Sequence, residues 1–499
     1  MNTYYQKLVE HLEESSRLGG IMGILHWDQE VIMPRGAAES RAKQMGVLAG
    51  IMHEKSTDPE IGKLLDNLID LEDFDSFQEC NIREARREYE METKVPKYLV
   101  MELAELSSRG HQVWVKARSE NKFSDFEPVL TQLIELKKRW AECVSPKLHP
   151  YDANIDLYER GTTMNDLTPV FETLKAELIP LIREIKESDY KPETTFLLGE
   201  YSVKKQEQLG REISQEMGFA FDRGRMDVSV HPFCGGSHPT DVRITTRYRN
   251  DNFIESLYAV IHETGHGLYE QGRMKEGRDL PVSEALTMGI HESQSLFWER
   301  MIGQSAAFCN RYLPLIRNTF PDIFKDVSDK QLYEAVNKSE ASYIRVEADE
   351  VTYPMHVILR YEIEKGLFDD SIDIKTLPDL WNSKMKEYLG VEPPTDTLGV
   401  LQDTHWSGAA FGYFPSYTLG AIYASQFYKS ILKDIPNLEK EIELGNLKQI
   451  REWLNVKIHQ KGRLLSVSEL INEVTGDNLN PNVFLEYLKT KYRKIYRLD

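Results

Sequence analysis

Apolar residues recur at helical spacing along almost the whole chain. Only one stretch, residues 226–249, alternates apolar and polar positions instead. A chain patterned this way hides its apolar faces mainly by packing helix on helix, with room for one small sheet. In residues 4–18, 130–140 and 167–185 the apolar positions share one helical face. Charges fill the opposite faces, as in 83–97, and read as solvated surface. No repeat, low-complexity tract or Gly/Ser linker marks a boundary. The helical pattern holds over about the first 220 residues and changes near residue 226, with no clean domain boundary.

Residues 226–233 (MDVSVHPF) and 241–249 (DVRITTRYR) carry the alternation. Val242, Ile244 and Thr246 fall on one face, Arg243, Thr245 and Arg247 on the other. Cys234-Gly235-Gly236-Ser237-His238-Pro239 between them is rich in turn formers, so the spacing predicts a β-hairpin or two-stranded edge. Helical periodicity then runs to the C-terminus, broken by a loop at 390–397. The expected fold is mostly α with one small β-sheet.

Composition narrows the partners. The 499 residues hold 61 Lys and Arg against 80 Asp and Glu, a net charge of −19. Such an excess repels phosphate backbones and offers no polybasic patch to anionic membranes. No apolar run reaches ~18 residues, so no membrane span is expected. Cys80, Cys143, Cys234 and Cys309 lack CxxC or CxH spacing, which suits a reducing compartment. With no signal-peptide pattern at residues 1–7, a cytoplasmic protein is expected.

Asp251 or Asn252 can cap a helix running to about Tyr269, and on it stands His262-Glu263-Thr264-Gly265-His266. Residues four apart lie one turn above each other, so both imidazoles can reach one tetrahedral zinc. Glu263 projects beside them and can take a proton from a metal-bound water. A catalytic zinc needs a third protein ligand and an open position. A third histidine six residues after His266 is excluded, because Gly272 stands there. A glutamate from a following helix remains. Pro281-Val282-Ser283-Glu284 reads as its start, with Ser283 as cap and its end near Arg300. Glu284, Glu292 and Glu299 are its carboxylates; geometry alone favours Glu292 only mildly over Glu284.

A set of ordered motifs then comes into view. They are His231-Pro232-Phe233, Asp241-Val242-Arg243-Ile244-Thr245, His262–His266, His291-Glu292-Ser293-Gln294, Ile344-Arg345-Val346-Glu347-Ala348-Asp349 and Gly399-Val400-Leu401-Gln402-Asp403-Thr404-His405-Trp406. In these six motifs, and in the early His26-Trp27-Asp28, the chain resembles the carboxypeptidase Taq family of zinc metallocarboxypeptidases. The resemblance implies His262, His266 and Glu292 as ligands of one zinc per chain, with Glu263 as catalytic base. It also implies a homodimer and one catalytic unit over 1–499, a two-lobed helical peptidase with a deep active-site groove, its N-terminal helical lobe about residues 1–220 and its catalytic lobe about 221–499. Cobalt or another divalent ion suits the same ligand set.

Peptide hydrolysis also needs a donor to the oxyanion. Phe411-Gly412-Tyr413-Phe414-Pro415-Ser416-Tyr417 looks like the tyrosine-bearing stretch of related helical peptidases. Tyr417 is the first candidate and Tyr413 the second, with His238 and His405 as alternative donors. A free C-terminal carboxylate is best read by an arginine fork. Arg345 is the first candidate and Arg243 the runner-up; an internal Arg345–Asp349 pair at i,i+4 is the structural alternative. Asp241, Thr245, Gln402, Asp403 and His405 are expected in the groove wall or behind the ligands. Asp349 or Asp403 could accept the second N–H of a metal-bound imidazole. His231 belongs either to the site or to a strand end fixed by Pro232.

The expected activity is release of C-terminal residues from peptides by a zinc-activated water, with broad specificity and poor cleavage next to proline. The rivals are an oligopeptidase or dipeptidyl carboxypeptidase on the same site, and a non-enzymatic helical binding protein.

Overall fold

A computed structural model describes residues 2–69 and 73–498. Helix accounts for 69% of the chain and strand for 3%, so the mostly helical reading with one small sheet holds. The helix expected at 4–18 extends over Thr3–Val31, where the Asn2 side chain accepts the N–H groups of Tyr4 and Tyr5. The two other expected segments lie within helices Phe123–Val144 and Met164–Glu187. The charged stretch lies largely in Ser76–Lys94, opened by a reciprocal Asp75–Gln78 cap. No helix among the described residues is long and apolar enough to cross a membrane.

The sheet differs from the expected hairpin. It has three strands, β1 (Gly224–Val228), β2 (Cys234–His238) and β3 (Asp241–Thr246), in the order β1-β3-β2. β1 runs parallel to β3, and the turn-rich segment is itself β2, antiparallel to β3. Gly236 explains why glycines do not make a turn here. Its φ is 134°, and a Cβ would lie 2.1 Å from the Asp241 carbonyl oxygen, so the glycine serves a strand irregularity between Gly236 and His238. Val242, Ile244 and Thr246 face inward as expected. Thr245 is buried too, because the crossing segment 229–233 covers it. Its hydroxyl bonds Ser229 Oγ at 2.7 Å and accepts the Phe233 N–H at 2.9 Å.

β3 supports the helix Phe253–Gly272, which carries both motif histidines; Asn252 caps it by accepting the Glu255 N–H. The next helix does not start at Ser283. Pro281–Ser283 is a single 3₁₀ turn, and the helix runs from Met288 to Leu296 behind a Thr287 cap, widening into a π-helical stretch at Phe297–Gly303. Distant groups, one side chain and one backbone amide, override the local signal at 281–283. Asn81 Oδ1 accepts the Val282 N–H and Arg463 N–H donates to the Val282 carbonyl.

Small residues let two helices close on this one. A Cβ on Gly265 would come within 2.7 Å of the Gln294 carbonyl oxygen. One on Gly420, in helix Pro415–Asp434, would come within 2.7 Å of Glu292 Cγ. The Glu292 helix is thus clamped between the histidine helix and the helix that follows Tyr413. The main hydrophobic core draws side chains from Val95 to Tyr496; Tyr5, Leu8, Leu64, Leu65 and Leu68 form a separate small cluster under the first helices. Cys80 and Cys309 are buried, and all four cysteines are free.

Candidate metal centre

One helical turn brings the His262 and His266 rings to 5.0 Å between centroids. Across from them Glu292 Oε2 lies 3.7 Å from His262 Nε2 and 3.4 Å from His266 Nε2. One donor atom from each of the three residues lies within 4.8 Å of the others. Ligands held ~2.0–2.1 Å from a tetrahedral ion sit about 3.4 Å from one another, so two imidazoles and a carboxylate at these spacings fit a divalent ion. Burial would raise the Glu292 carboxyl, but the neighbouring His262 and His266 hold it down at about 2.

Glu263 is 6% exposed, and its Oε2 has no hydrogen-bond partner. Burial pushes its carboxyl up to about 7; His262 opposes the rise, and the negative Glu292 and Glu299 add to it. A carboxylate with a free oxygen and a raised pKa is suited to take and return a proton near neutral pH.

The residues behind the histidines differ from those expected. His262 Nδ1 meets Glu299 Oε2 at 2.7 Å. His266 Nδ1 meets another imidazole, His291 Nδ1, at 2.6 Å. His291 Nε2 meets Glu270 Oε1 at 2.9 Å, and Arg273 Nη1 donates to the other Glu270 oxygen at 3.0 Å. Neither Asp349 nor Asp403 accepts from these histidines. Asp349 caps the approach to helix Tyr353–Phe368, accepting from Ser339, Thr352 and the backbone N–H groups of Glu340 and Val351. Glu284, the earlier rival to Glu292, pairs instead with Arg463 at 2.7 Å.

Asp403 belongs to Arg345. The guanidinium donates from Nε and Nη2 to the Asp403 carboxylate at 2.8–3.3 Å and from Nη1 to the Tyr353 hydroxyl at 2.6 Å. The i,i+4 pair with Asp349 does not form, because Asp349 is spent on its cap. Gln402 accepts the Arg345 backbone N–H and donates to the Tyr343 carbonyl, stitching the two motifs together. The Arg345 guanidinium lies 4.9 Å from the Tyr417 ring and 5.0 Å from that of Phe414. Tyr417 Oη stands 3.5 Å from His405 Nε2, and the Tyr413 ring packs 5.2 Å from Tyr417. Both phenols lie near enough to Glu292 to feel its charge.

The other candidates sit further out. Arg243 forks onto Asp241 at 2.9 Å through both nitrogens and stacks over Trp27. Asp241 also accepts from Ser237. His238 bonds Thr240 and faces Asp279. His231 is exposed, and only its carbonyl is held, by Ser229. A cleft of about 540 Å³ opens beside the centre; Ser16, Glu84 and Arg87 line it from the first helices, and His238, Glu270 and His291 from the second half.

Sequence reasoning missed Glu270, Glu299 and His291 as supports, and Tyr353 altogether. Glu270 follows His266 by four residues and Glu299 follows Glu292 by seven, both helical repeats that place them on the faces already chosen. Tyr353 carried no such signal.

The relatives agree with this architecture. Residues 7–492 match the family model described as carboxypeptidase Taq (M32) metallopeptidase. The chain is 39% identical to Carboxypeptidase 1 of Bacillus subtilis, with 100% of both chains covered. It is 37% identical to Thermostable carboxypeptidase 1 of Thermus thermophilus, with 99% of both covered. The crystal structure of the M32 carboxypeptidase from Deinococcus radiodurans R1 superposes with a TM-score of 0.97 at 35% identity, covering 100% of each chain. With the six motifs, the clamped histidine helix and these whole-length matches in hand, the chain belongs to the carboxypeptidase Taq (M32) family of metallopeptidases.

Proposed function

We propose that this protein releases C-terminal residues from peptides one at a time, with broad side-chain tolerance and poor cleavage next to proline. His262, His266 and Glu292 would hold one divalent ion, zinc by preference and cobalt as a substitute. When bound, that ion supplies Lewis acidity, which acidifies water and polarises the scissile carbonyl.

The chain's own groups do the rest. Glu263 accepts the proton of the attacking water on its free oxygen and returns it to the leaving amine. The Tyr417 hydroxyl, with Tyr413 behind it, donates to the oxygen that gains charge. Arg345 reads the terminal carboxylate. A guanidinium has five N–H groups, and three of this one's are engaged by Asp403 and Tyr353. One N–H on each terminal nitrogen remains, which matches the fork a carboxylate accepts. Asp403 and Tyr353 keep that fork aimed. The observation that carries the reading is the free, buried Glu263 oxygen beside three converging donors. We further propose a cytoplasmic homodimer acting on peptides rather than folded proteins.

The test is a matched peptide pair, one with a free C-terminus and one amidated, incubated with chelator-stripped and zinc-reloaded protein. Mass spectrometry should show stepwise loss of single residues from the free acid only, and only after reloading. Internal cleavage or dipeptide release from the amidated peptide would replace this reading with the oligopeptidase.

A further inference from the structure

The two histidines that face Glu292 are anchored differently, and the difference points to what His291 does. His262 leans on a carboxylate, as metal-binding imidazoles commonly do. His266 leans on His291, a second imidazole. An imidazole can only accept this bond if its facing nitrogen is bare, so tautomers along the chain are coupled.

His266 presents Nε2 toward Glu292. For that nitrogen to offer a lone pair, the ring hydrogen must sit on Nδ1. The Nδ1–Nδ1 separation of 2.6 Å has room for one hydrogen, so His291 Nδ1 is the acceptor. The His291 hydrogen is then on Nε2, where Glu270 Oε1 receives it at 2.9 Å. Glu270 stays anionic because Arg273 holds its second oxygen, and Arg273 is itself fixed on the Ser283 carbonyl at 2.7 Å. Each link permits one state of the next. The ring is also wedged: His291 lies 4.7 Å from His266 and 5.0 Å from Tyr269 between centroids.

We propose that His291 is a positioning residue that locks His266 in its ligating tautomer, with Glu270 and Arg273 locking His291 in turn. His291 and Glu270 also line the cleft beside the centre, so the wall that a peptide touches and the grip on the ion form one hydrogen-bonded unit. This rests on the reading of His262, His266 and Glu292 as a divalent-ion site.

The test is zinc affinity, measured by competition with a chromophoric chelator, and it needs no turnover. His291→Phe keeps a ring of similar size but removes the acceptor; zinc should bind roughly 10–100-fold more weakly, the range seen when outer partners of metal ligands are lost. His291→Asn places an amide oxygen where Nδ1 stood and should recover most of that loss. Melting of the ion-free proteins is read in parallel. If His291→Phe folds and binds zinc as tightly as the parent, the proposal is overturned. Should that variant fail to fold, His291→Asn decides: affinity near the parent's supports the acceptor role, and a loss as large as that from Glu299→Ala refutes it. A parent protein that binds no zinc would instead overturn the underlying metal site.

Discussion

The first helices and the second half of the chain follow opposite rules of burial. Helix Ala38–Ser56 buries none of its residues, and Thr3–Val31 buries only Tyr5, Leu8 and Trp27. Helix Tyr353–Phe368 is nearly all buried, with His356, Arg360 and Glu364 among its hidden side chains. Where the first half meets solvent, its charges form exposed pairs such as Lys43–Glu39, worth little each. Along Tyr353–Phe368 the buried charges instead lie in low dielectric, and Glu364 is held by several bonds at once. It receives Arg360, Tyr151, Trp406 and the Gly412 N–H. Charges on the first helices are left to solvent, whereas those around Glu364 are fixed by the fold.

That contrast can be broken most forcefully at Glu263. Glu263→Gln should keep fold and bound metal while turnover falls about 10²–10⁴-fold, as read by metal analysis beside steady-state kinetics. A zinc-replete, fully active Gln variant would remove the base from the mechanism. Arg345→Ala comes next. Loss of one charge-assisted fork should lower kcat/KM roughly ten- to a hundred-fold on peptides with a free carboxylate. A compensating Asp403→Asn change separates this from the cost of stranding Asp403, whose carboxyl is held at about 2, chiefly by Arg345 against burial.

A third test uses pH, at a point where the halves meet. Glu159 is fully buried and accepts the Gly289 N–H at the start of the Glu292 helix. Burial pushes its carboxyl up to about 7, while the Gly289 bond opposes the rise. An acid raised in the folded state binds its proton more tightly there than in the unfolded chain. It therefore takes stability away as pH climbs from about 4.3, the unfolded value, toward 7. Glu159→Gln should flatten the dependence of the urea midpoint over that window; an unchanged slope would mean that Glu159 does not titrate there. The smallest effect is expected on the exposed helix Ala38–Ser56. Val47→Ser should move stability by no more than ~0.5 kcal/mol and leave kinetics untouched.

Most helices were legible because an amphipathic face repeats every 3.6 residues whatever it packs against. The hairpin was misread because strand pairing is a contact between segments. Gly235 and Gly236 suit a turn locally, yet they pair with Arg243 and Val242 across β3. The start of the Glu292 helix was misread for the same reason, since Asn81 and Arg463 fix residue 282 from far along the chain. At the site, the i,i+4 rule found His262 and His266, but it also suggested Arg345 with Asp349, where the partner is Asp403, 58 residues away.

By itself the sequence determined what short-range geometry and ordered motifs can encode. These are the helical character, two imidazoles on one helix face with a glutamate beside them, and the family to which the motifs point. The motifs' resemblance already pointed to Glu292; only the tertiary structure decided which groups hold each ring behind the nitrogen that faces it. It also showed that one of those holders is another histidine. Such partners are chosen by helices that meet at glycines and by the cost of leaving desolvated polar atoms unpaired. Neither condition leaves a periodic trace along the chain.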